Sequence, residues 1–259
     1  MVYPASLSNV ERQQLLLERL AELQRISVAE ICAQFSVSEA TARRDLEQLA
    51  GQGLIQRVHG GAIAIRRAAP ELPILERSQE QSEEKSRVGQ AAAALIADGE
   101  TVFLGSGTTV LEVAKNLRQR RNLTVITNSL PVVNALAGLP EITIVVMGGI
   151  LRDSELSFIG HITEAALAEV RADKVVMGTR ALHLEHGLTN DYLPETLTDR
   201  AILRSGREII IVADHTKIGS VSAVFLAPLS SVHIVVTGQE TGVGYIRLLQ
   251  EKGIQVITA

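Results

Sequence analysis

Tryptophan is absent and aromatic residues make up only 3% of the 259 residues, while hydrophobic residues reach 46%. A core of adequate size must therefore be built from Val, Ile, Leu and Ala, a composition that suits a parallel sheet covered by helices. Cys32 is the only cysteine, which excludes an intramolecular disulfide and points to a reducing compartment. The charge-free stretch Thr124 to Pro140 is broken by Asn128, Pro131 and Asn134, and no basic-then-apolar leader opens the sequence. Neither a membrane span nor a signal peptide is predicted, and the chain reads as cytoplasmic. Internal repeats and low-complexity tracts are also lacking.

The net charge of −4 argues against a protein that coats nucleic acid, but it conceals an asymmetry. Residues 1–68 hold eight Arg against seven Asp or Glu, and within 41–67 the tally is five Arg to two acids. The remaining residues carry a net of about −5. Positive charge is thus concentrated near the amino end, where a DNA contact would need it.

Along the chain, Val10, Leu16, Leu17, Leu20 and Leu23 recur at helical spacing behind a Ser8-x-x-Glu11 capping box. Ser27-x-x-Glu30 opens a second, shorter helix with Val28, Ile31 and Phe35. A third follows after Ser36 and Val37, for which Ser36-x-x-Glu39 offers a cap. Its apolar face is Ala42, Leu46 and Leu49, which turns Thr41, Arg43, Arg44, Glu47 and Gln48 outward, and Gly53 stops it. Leu54–Val58 and Ala62–Ile65 then read as two short strands around a Gly60-Gly61 turn, a wing.

The stretch from Arg66 to Arg87 holds Pro70, Pro73 and mixed charge without sustained period. Three parts result: a winged helix-turn-helix domain over 1–66, a linker over 67–85, and an α/β domain over 86–259. In the last, apolar runs at 101–104, 123–127, 142–147, 174–177, 208–213, 232–236 and 254–258 alternate with helical stretches. That alternation predicts a mostly parallel sheet.

A helix, tight turn and helix with Ser38, Thr41, Arg43 and Arg44 on the outer face of the second helix suit insertion into the major groove. Arg donates two hydrogen bonds to guanine there, while Ser and Thr anchor phosphates. The candidate DNA contacts are Ser36, Ser38, Thr41, Arg43, Arg44 and Gln48, with Arg57 and His59 from the wing. The blander alternative pairs Arg43 and Arg44 with Asp45 and Glu47 on a solvated face. His59 either touches a phosphate or is an ordinary wing residue.

In the larger part, four polar loops follow hydrophobic runs: Gly105-Ser106-Gly107-Thr108-Thr109, Thr127-Asn128-Ser129, Gly148-Gly149 and Asp214-His215-Thr216-Lys217. If the runs are parallel strands, the loops share one sheet edge, where α/β proteins bind ligands. The first loop combines small residues, two hydroxyls and a helix N-terminus, a cradle for phosphate. Lys217 adds a mobile positive charge, and Asp214, Asn128 and Ser129 offer partners for hydroxyls. A sugar phosphate presents both groups. The candidate effector residues are Ser106, Gly107, Thr108, Thr109, Thr127, Asn128, Ser129, Gly148, Gly149, Asp214 and Lys217.

The motifs Val28-Ala29-Glu30-Ile31, Phe35-Ser36-Val37-Ser38, Thr41-Ala42-Arg43-Arg44-Asp45-Leu46 and Arg57-Val58-His59-Gly60-Gly61-Ala62 resemble the DeoR family of bacterial regulators, and the likeness runs to about residue 238. It implies a repressor of a carbohydrate-metabolism operon, a partner in double-stranded operator DNA, and a homodimer or larger homo-oligomer. It also implies a larger domain resembling the ribose-phosphate isomerase and CoA-transferase-like fold, with a phosphorylated sugar as effector. Gly107, Thr108, Thr109, Thr127, Asn128, Ser129, Gly148, Gly149 and Lys217 match the pocket motifs. The chain departs from the family where Gly105 replaces an Asp, where His215 replaces a frequent Ser, and where Thr237-Gly238 replaces Thr-Asp.

Arg180, after Gly178-Thr179, either adds an anion contact or pairs with a surface acid. His183-x-x-His186 lacks a third ligand in motif spacing and reads as a surface loop rather than a metal site. No cofactor, metal or catalytic residue is implied. Two rivals have weaker support. A sugar-phosphate-converting enzyme with a DNA-binding head would have Asp214 as its only evident base. A dinucleotide sensor would lack the third glycine and the acidic residue closing the next run.

Overall fold

The computed structural model describes residues 3, 7–23, 25–52, 54–64, 66–68 and 72–259. The chain divides into two compact units, Met1–Arg67 and Ala68–Ala259. Gly53, Ile65 and Pro70, assigned above to a helix stop, a strand end and a linker, lie outside the described residues. No described helix is long and apolar enough to cross a membrane.

The first unit is a winged helix-turn-helix. Helix α1 (Asn9–Leu23) starts at the Ser8–Glu11 capping box, with the Ser8 N–H donating to Glu11 Oε2 at 3.0 Å. Strand β1 (Arg25–Ser27) follows, and Ser27 and Glu30 cap α2 (Val28–Phe35) reciprocally. The third cap differs from the expectation. Ser36 takes a left-handed conformation, φ 53°, and ends α2, so it cannot start the next helix. Ser38 instead accepts from the Thr41 N–H at 3.2 Å and opens α3 (Glu39–Gly51). The wing is β2 (Ile55–Val58) against β3 (Gly61–Ala64). Val58 pairs directly with Gly61, so the two-residue turn is His59-Gly60 rather than Gly60-Gly61. Gly60 supplies the positive φ of 80°. Strand β1 pairs with the other side of β3, a third strand too short to leave a periodic signal.

Leu16, Leu20, Ile31, Phe35, Ala42, Leu46 and Leu49 close the core of this unit, while Val10 and Leu23, at the two ends of α1, stay exposed. One buried charge belongs to the same structure. Asp45 on α3 is 2% exposed and is gripped by Arg12 on α1, with Nε–Oδ2 at 2.6 Å and Nη2–Oδ1 at 3.0 Å. Asp45 therefore faces inward, away from Arg43 and Arg44, which are exposed.

After β4 (Arg66–Arg67), the second unit begins with α4 (Ile74–Arg77) and α5 (Ser82–Ala94). The stretch read as linker thus carries one short helix and the first turn of another. The sheet strands are β5 (Thr101–Leu104), β6 (Leu123–Thr127), β7 (Ile142–Val146), β10 (Ala172–Gly178), β13 (Gly206–Ala213), β16 (Ile234–Thr237) and β17 (Gln255–Thr258). They are ordered β17-β16-β13-β10-β5-β6-β7, and every adjacent pair is parallel. Helices α5, α6 (Thr108–Asn116) and α7 (Leu130–Leu136) cover one face through Val88, Val110, Val113 and Leu136 against Val102, Leu104, Val125, Val176 and Val212. On the opposite face Phe103, Val175, Ile211 and Val235 are also buried. Burial on both faces explains why these strands read as unbroken apolar runs.

Shorter elements decorate this frame. They are β8 (Ile150–Arg152), β9 (Ser157–Ile159), α8 (His161–Ala168), β11 (Ala181–His183), β12 (Gly187–Asn190), α9 (Leu193–Ser205), β14 (Ser220–Val221), β15 (Val224–Ala227) and α10 (Val243–Glu251). Strands β8 and β9 form a hairpin, and β11-β12-β15 form a small sheet.

Removing one partner of a nearly dry ion pair leaves an uncompensated charge, which costs about 3 kcal/mol or more. Arg12→Ala is expected to lower the stability of the first unit by about that amount, read as earlier loss of helical circular dichroism in urea. An unchanged midpoint would show that Asp45 is solvated by other means.

Candidate functional site

Two polar surfaces emerge, one on each unit. On the first, α3 presents Arg43 and Arg44 to solvent, with Thr41 half-buried at its first turn. Arg43 pairs with Glu39 one turn earlier, Nη2–Oε2 3.3 Å, and Arg57 of the wing pairs with Glu47 at 2.9 Å. Both are exposed pairs, each worth well under ~1 kcal/mol, so a phosphate can displace them. Gln48 Oε1 accepts from Gln13 Nε2 at 2.6 Å and Asn9 Nδ2 at 3.1 Å, tying α3 to α1. Ser38 spends its hydroxyl on the cap and on Thr41 Oγ1, 3.0 Å away. His59 and Ser36 are exposed. Of the eight candidate contacts, Arg44 is the exposed cation with no ion-pair partner among the described residues.

On the second unit the chain runs β5, β6, β7 toward one edge, then returns to lay β10 on the other side of β5. A crevice opens at the carboxyl ends of strands where such a reversal occurs. A cleft lies there, lined by Ser106, Gly107, Thr108 and Thr109 after β5, by Met177 to Arg180 at the end of β10, and by Val212, Ala213, Asp214 and Lys217 at the end of β13. The Gly105 N–H donates to the Val176 carbonyl at 3.0 Å, holding the first loop against β10. Gly107, at φ 111°, is the N-cap of α6 and no side chain caps that helix. Its first-turn N–H groups therefore keep their partial positive charge for a ligand.

Asp214 and Lys217 are organised by a short turn. Asp214 Oδ1 accepts from the Thr216 N–H at 3.0 Å, and the Lys217 N–H donates to the Asp214 carbonyl at 3.1 Å. The other candidates sit elsewhere. Thr127 Oγ1 accepts from the Ser129 N–H at 3.0 Å, Asn128 Nδ2 donates to the Phe158 carbonyl at 3.0 Å, and Thr163 Oγ1 donates to the Gly148 carbonyl at 2.9 Å. Gly149 lies beside Thr163, whose Oγ1 occupies the space of any Cβ there. Thr127, Asn128, Ser129, Gly148 and Gly149 do not line the cleft; they fasten the β8–β9 hairpin and α8.

That hairpin delivers a wall that the sequence did not signal. Glu155, at its tip, meets Arg77 of α4 at 2.5 Å, with both side chains almost fully buried. Arg152 pairs with Glu195 of α9 and its guanidinium lies 4.6 Å from the centre of the Tyr192 ring. Asn190 Nδ2 donates to Asp199 Oδ2 at 2.8 Å. Arg77, Glu80, Lys85, Glu155, Asn190, Glu195 and Asp199 all line the cleft. Lys85 is 5% exposed and donates to the Arg77 carbonyl at 2.9 Å. Burial pushes its ammonium below the usual range, with the Asp214 carboxylate pulling the other way. Arg180 pairs with an acid, lying 3.4 Å from the Asp191 carboxylate, and it also lines the cleft.

His183 overturns the surface-loop reading. It is fully buried in β11, and its Nδ1 accepts from the Glu185 and His186 N–H groups at 3.3 and 3.4 Å. Burial, and secondarily His186, lowers its pKa to about 4. A folded pKa below the unfolded 6.5 means that stability is full above pH 6.5 and falls as pH drops toward 4. The second unit is expected to lose roughly 3 kcal/mol across that window, and His183→Gln to flatten the loss; an equally steep pH dependence in that variant would refute the assignment.

Comparison with known proteins matches the model of the DeoR-like helix-turn-helix domain to residues 12–68 and that of the DeoR C terminal sensor domain to residues 80–239. The HTH-type transcriptional regulator IolR of Bacillus subtilis is 32% identical, covering 89% of this chain and 92% of that protein. The glycerol-3-phosphate regulon repressor of Escherichia coli is 33% identical, covering 96% of this chain and 99% of that one. Among solved structures, ribose 5-phosphate isomerase A from Methanocaldococcus jannaschii aligns with 54% of this chain and 55% of its own at 19% identity and a TM-score of 0.40.

Proposed function

Because this chain belongs to the DeoR family of DNA-binding transcriptional regulators, we propose that it represses carbohydrate-metabolism genes and that a phosphorylated sugar in the cleft releases it from operator DNA. The observation that carries this reading is the cleft at the β5–β10 reversal, where the uncapped start of α6 faces Lys85 and Lys217. A phosphate dianion satisfies that half, through backbone N–H groups, the Thr108 and Thr109 hydroxyls and the two ammonium groups. The other half, with Asn190, Glu195, Asp199 and Asp214, suits a polyol.

The carboxylates of this cleft are largely engaged. Glu155 is held by Arg77, Glu195 by Arg152, Asp199 by Asn190 and Asp214 by Thr216. Fixed acceptors support ligand binding rather than proton abstraction, so we read the protein as a sensor and not an enzyme.

On DNA, α3 enters the major groove, Arg44 and Arg43 reach base edges, and Arg57 and His59 of the wing meet phosphates. A homo-oligomer presents two such helices to half-sites roughly 34 Å apart or a multiple of that. Operator and effector oppose each other through a coupling of ~1 to 3 kcal/mol, which acts reciprocally.

With a duplex selected from random sequence by the parent protein, Arg44→Ala is expected to weaken binding by about 10- to 100-fold, the scale of one lost bidentate base contact. Its response to phosphorylated sugars stays intact. Lys217→Ala is expected to bind the duplex as the parent does and to remain bound when a phosphorylated sugar that releases the parent is added. Release of Lys217→Ala at the parent's effector concentration would refute the cleft assignment.

A further inference from the structure

The carboxylate of Glu84, on the first turn of α5, is 3% exposed. It takes two hydrogen bonds from a single residue: the His215 backbone N–H donates to Oε1 at 2.7 Å, and His215 Nδ1 lies 2.7 Å from Oε2. A carboxylate only accepts, so Nδ1 carries the proton and donates. The pair straps the start of α5 to the turn after β13. Neither residue lines the cleft, yet each is next to one that does. Lys85 follows Glu84, and Lys217 lies two residues beyond His215 in the same turn. The two ammonium groups of the cleft thus extend from the two ends of one part-buried, hydrogen-bonded contact.

A third element makes room for it. Gly238, directly after β16, approaches so closely that a Cβ there would lie 2.2 Å from Glu84 Oε1, 2.5 Å from Glu84 Cγ and 2.3 Å from Glu240 Oε2. Glu240 is itself drawn to Arg87 at 2.6 Å. The Glu84 carboxylate therefore occupies the volume that any larger residue at 238 would claim. All three nearest atoms belong to side chains, so a methyl at 238 must shift the Glu84 and Glu240 carboxylates.

We propose that Glu84 and His215 form a positioning pair that fixes Lys85 and Lys217 for an anion in the cleft, and that Gly238 is the residue whose lack of a side chain permits the pair. This rests on the reading of the cleft as an anion site. A lysine ammonium is a point charge on a flexible stem, so its contribution depends on where its backbone is held. Here two separate elements must be held in register, and the strap joins them.

Calorimetric titration of the full chain with inorganic phosphate tests this, with unfolding midpoints of each phosphate-free variant as a check on folding. Lys217→Ala is expected to abolish binding. His215→Ala and Gly238→Ala are each expected to weaken it about tenfold, on the scale of lost outer-shell support for a binding group. The double variant should be no weaker than either single one, because both changes release the same carboxylate. His215→Asn, whose side-chain N–H can still reach Glu84, should recover most of the affinity, which a purely structural role for the imidazole would not produce. Failure of Lys217→Ala to alter binding, or of the parent to bind, would overturn the cleft reading and the pair with it. Loss in Lys217→Ala with parent-like binding in His215→Ala and Gly238→Ala would overturn the positioning pair alone. Additive losses in the double variant would remove Gly238 from it. Should Gly238→Ala not fold, His215→Ala and His215→Asn still decide.

Discussion

The pairing of β10 with β5 places Val175 beside Phe103 and Val176 beside Leu104, and the chemistry of the larger unit depends on that adjacency. Both faces of the sheet are buried under helices and loops, so no polar group can function on the strands themselves without a desolvation cost. Polar residues are driven to the strand ends. Strands β5, β6 and β16 lead directly into helices α6, α7 and α10. Between β5 and β10 the two outgoing loops diverge, one to α6 and one to β11, and the space stays open. The Gly105 N–H bond to the Val176 carbonyl fixes the rim on one side, and the Asp214-capped turn fixes it on the other.

The same economy of polar groups governs the first unit. Its core is small, and the Arg12–Asp45 pair within it couples α1 to α3 across the face opposite the outward arginines. Asp45 is therefore not available to neutralise Arg43 or Arg44, although it adjoins Arg44 in sequence. Burying Asp45 leaves the outer face of α3 more positive than its sequence suggests. That is the electrostatic condition for phosphate approach.

Most of the frame was legible because its strands are long enough to carry a signal. Thr101–Leu104 and Leu123–Thr127 agree with the sequence reading to the residue, being β-branched runs bounded by Gly, Asn and Ser. Strands β1, β8, β9 and β11 are three residues each, too short for an alternation to repeat. Spacing favoured Ser36 as the cap, since Glu39 lies three positions on, whereas Thr41, three beyond Ser38, completes no capping box; a left-handed φ at Ser36 moved the cap to Ser38. Within the cleft, the loops after β5 and β13 were visible as Gly-Thr and Asp-Lys clusters. Arg77, Glu155, Glu195 and Asp199 were not. They arrive from a short helix, a hairpin tip and a helix flank that share no spacing rule, and Arg77 came from a stretch whose prolines read as linker. The His183-x-x-His186 pair misled in the opposite sense, because polar spacing says nothing about burial: one imidazole went fully inside.

The position of Arg77 also bears on how a ligand in the proposed sensor could be felt at the other end of the chain. Nine residues separate Arg67, the end of the first unit, from Arg77, whose guanidinium meets Glu155 in the cleft wall. Glu80 and Lys85 belong to the same segment and line the same cleft. The segment that follows the first unit in sequence thus supplies part of the cleft's lining. An anion drawn to Lys85 competes for the same short segment that Arg77 and Glu84 anchor. Coupling requires only that this segment be held differently with and without the ligand, since a ligand shifts an equilibrium by no more than its differential affinity for the two states. The buried Arg77–Glu155 contact lies in this segment, and such pairs contribute little net stability when intact but are costly to break singly.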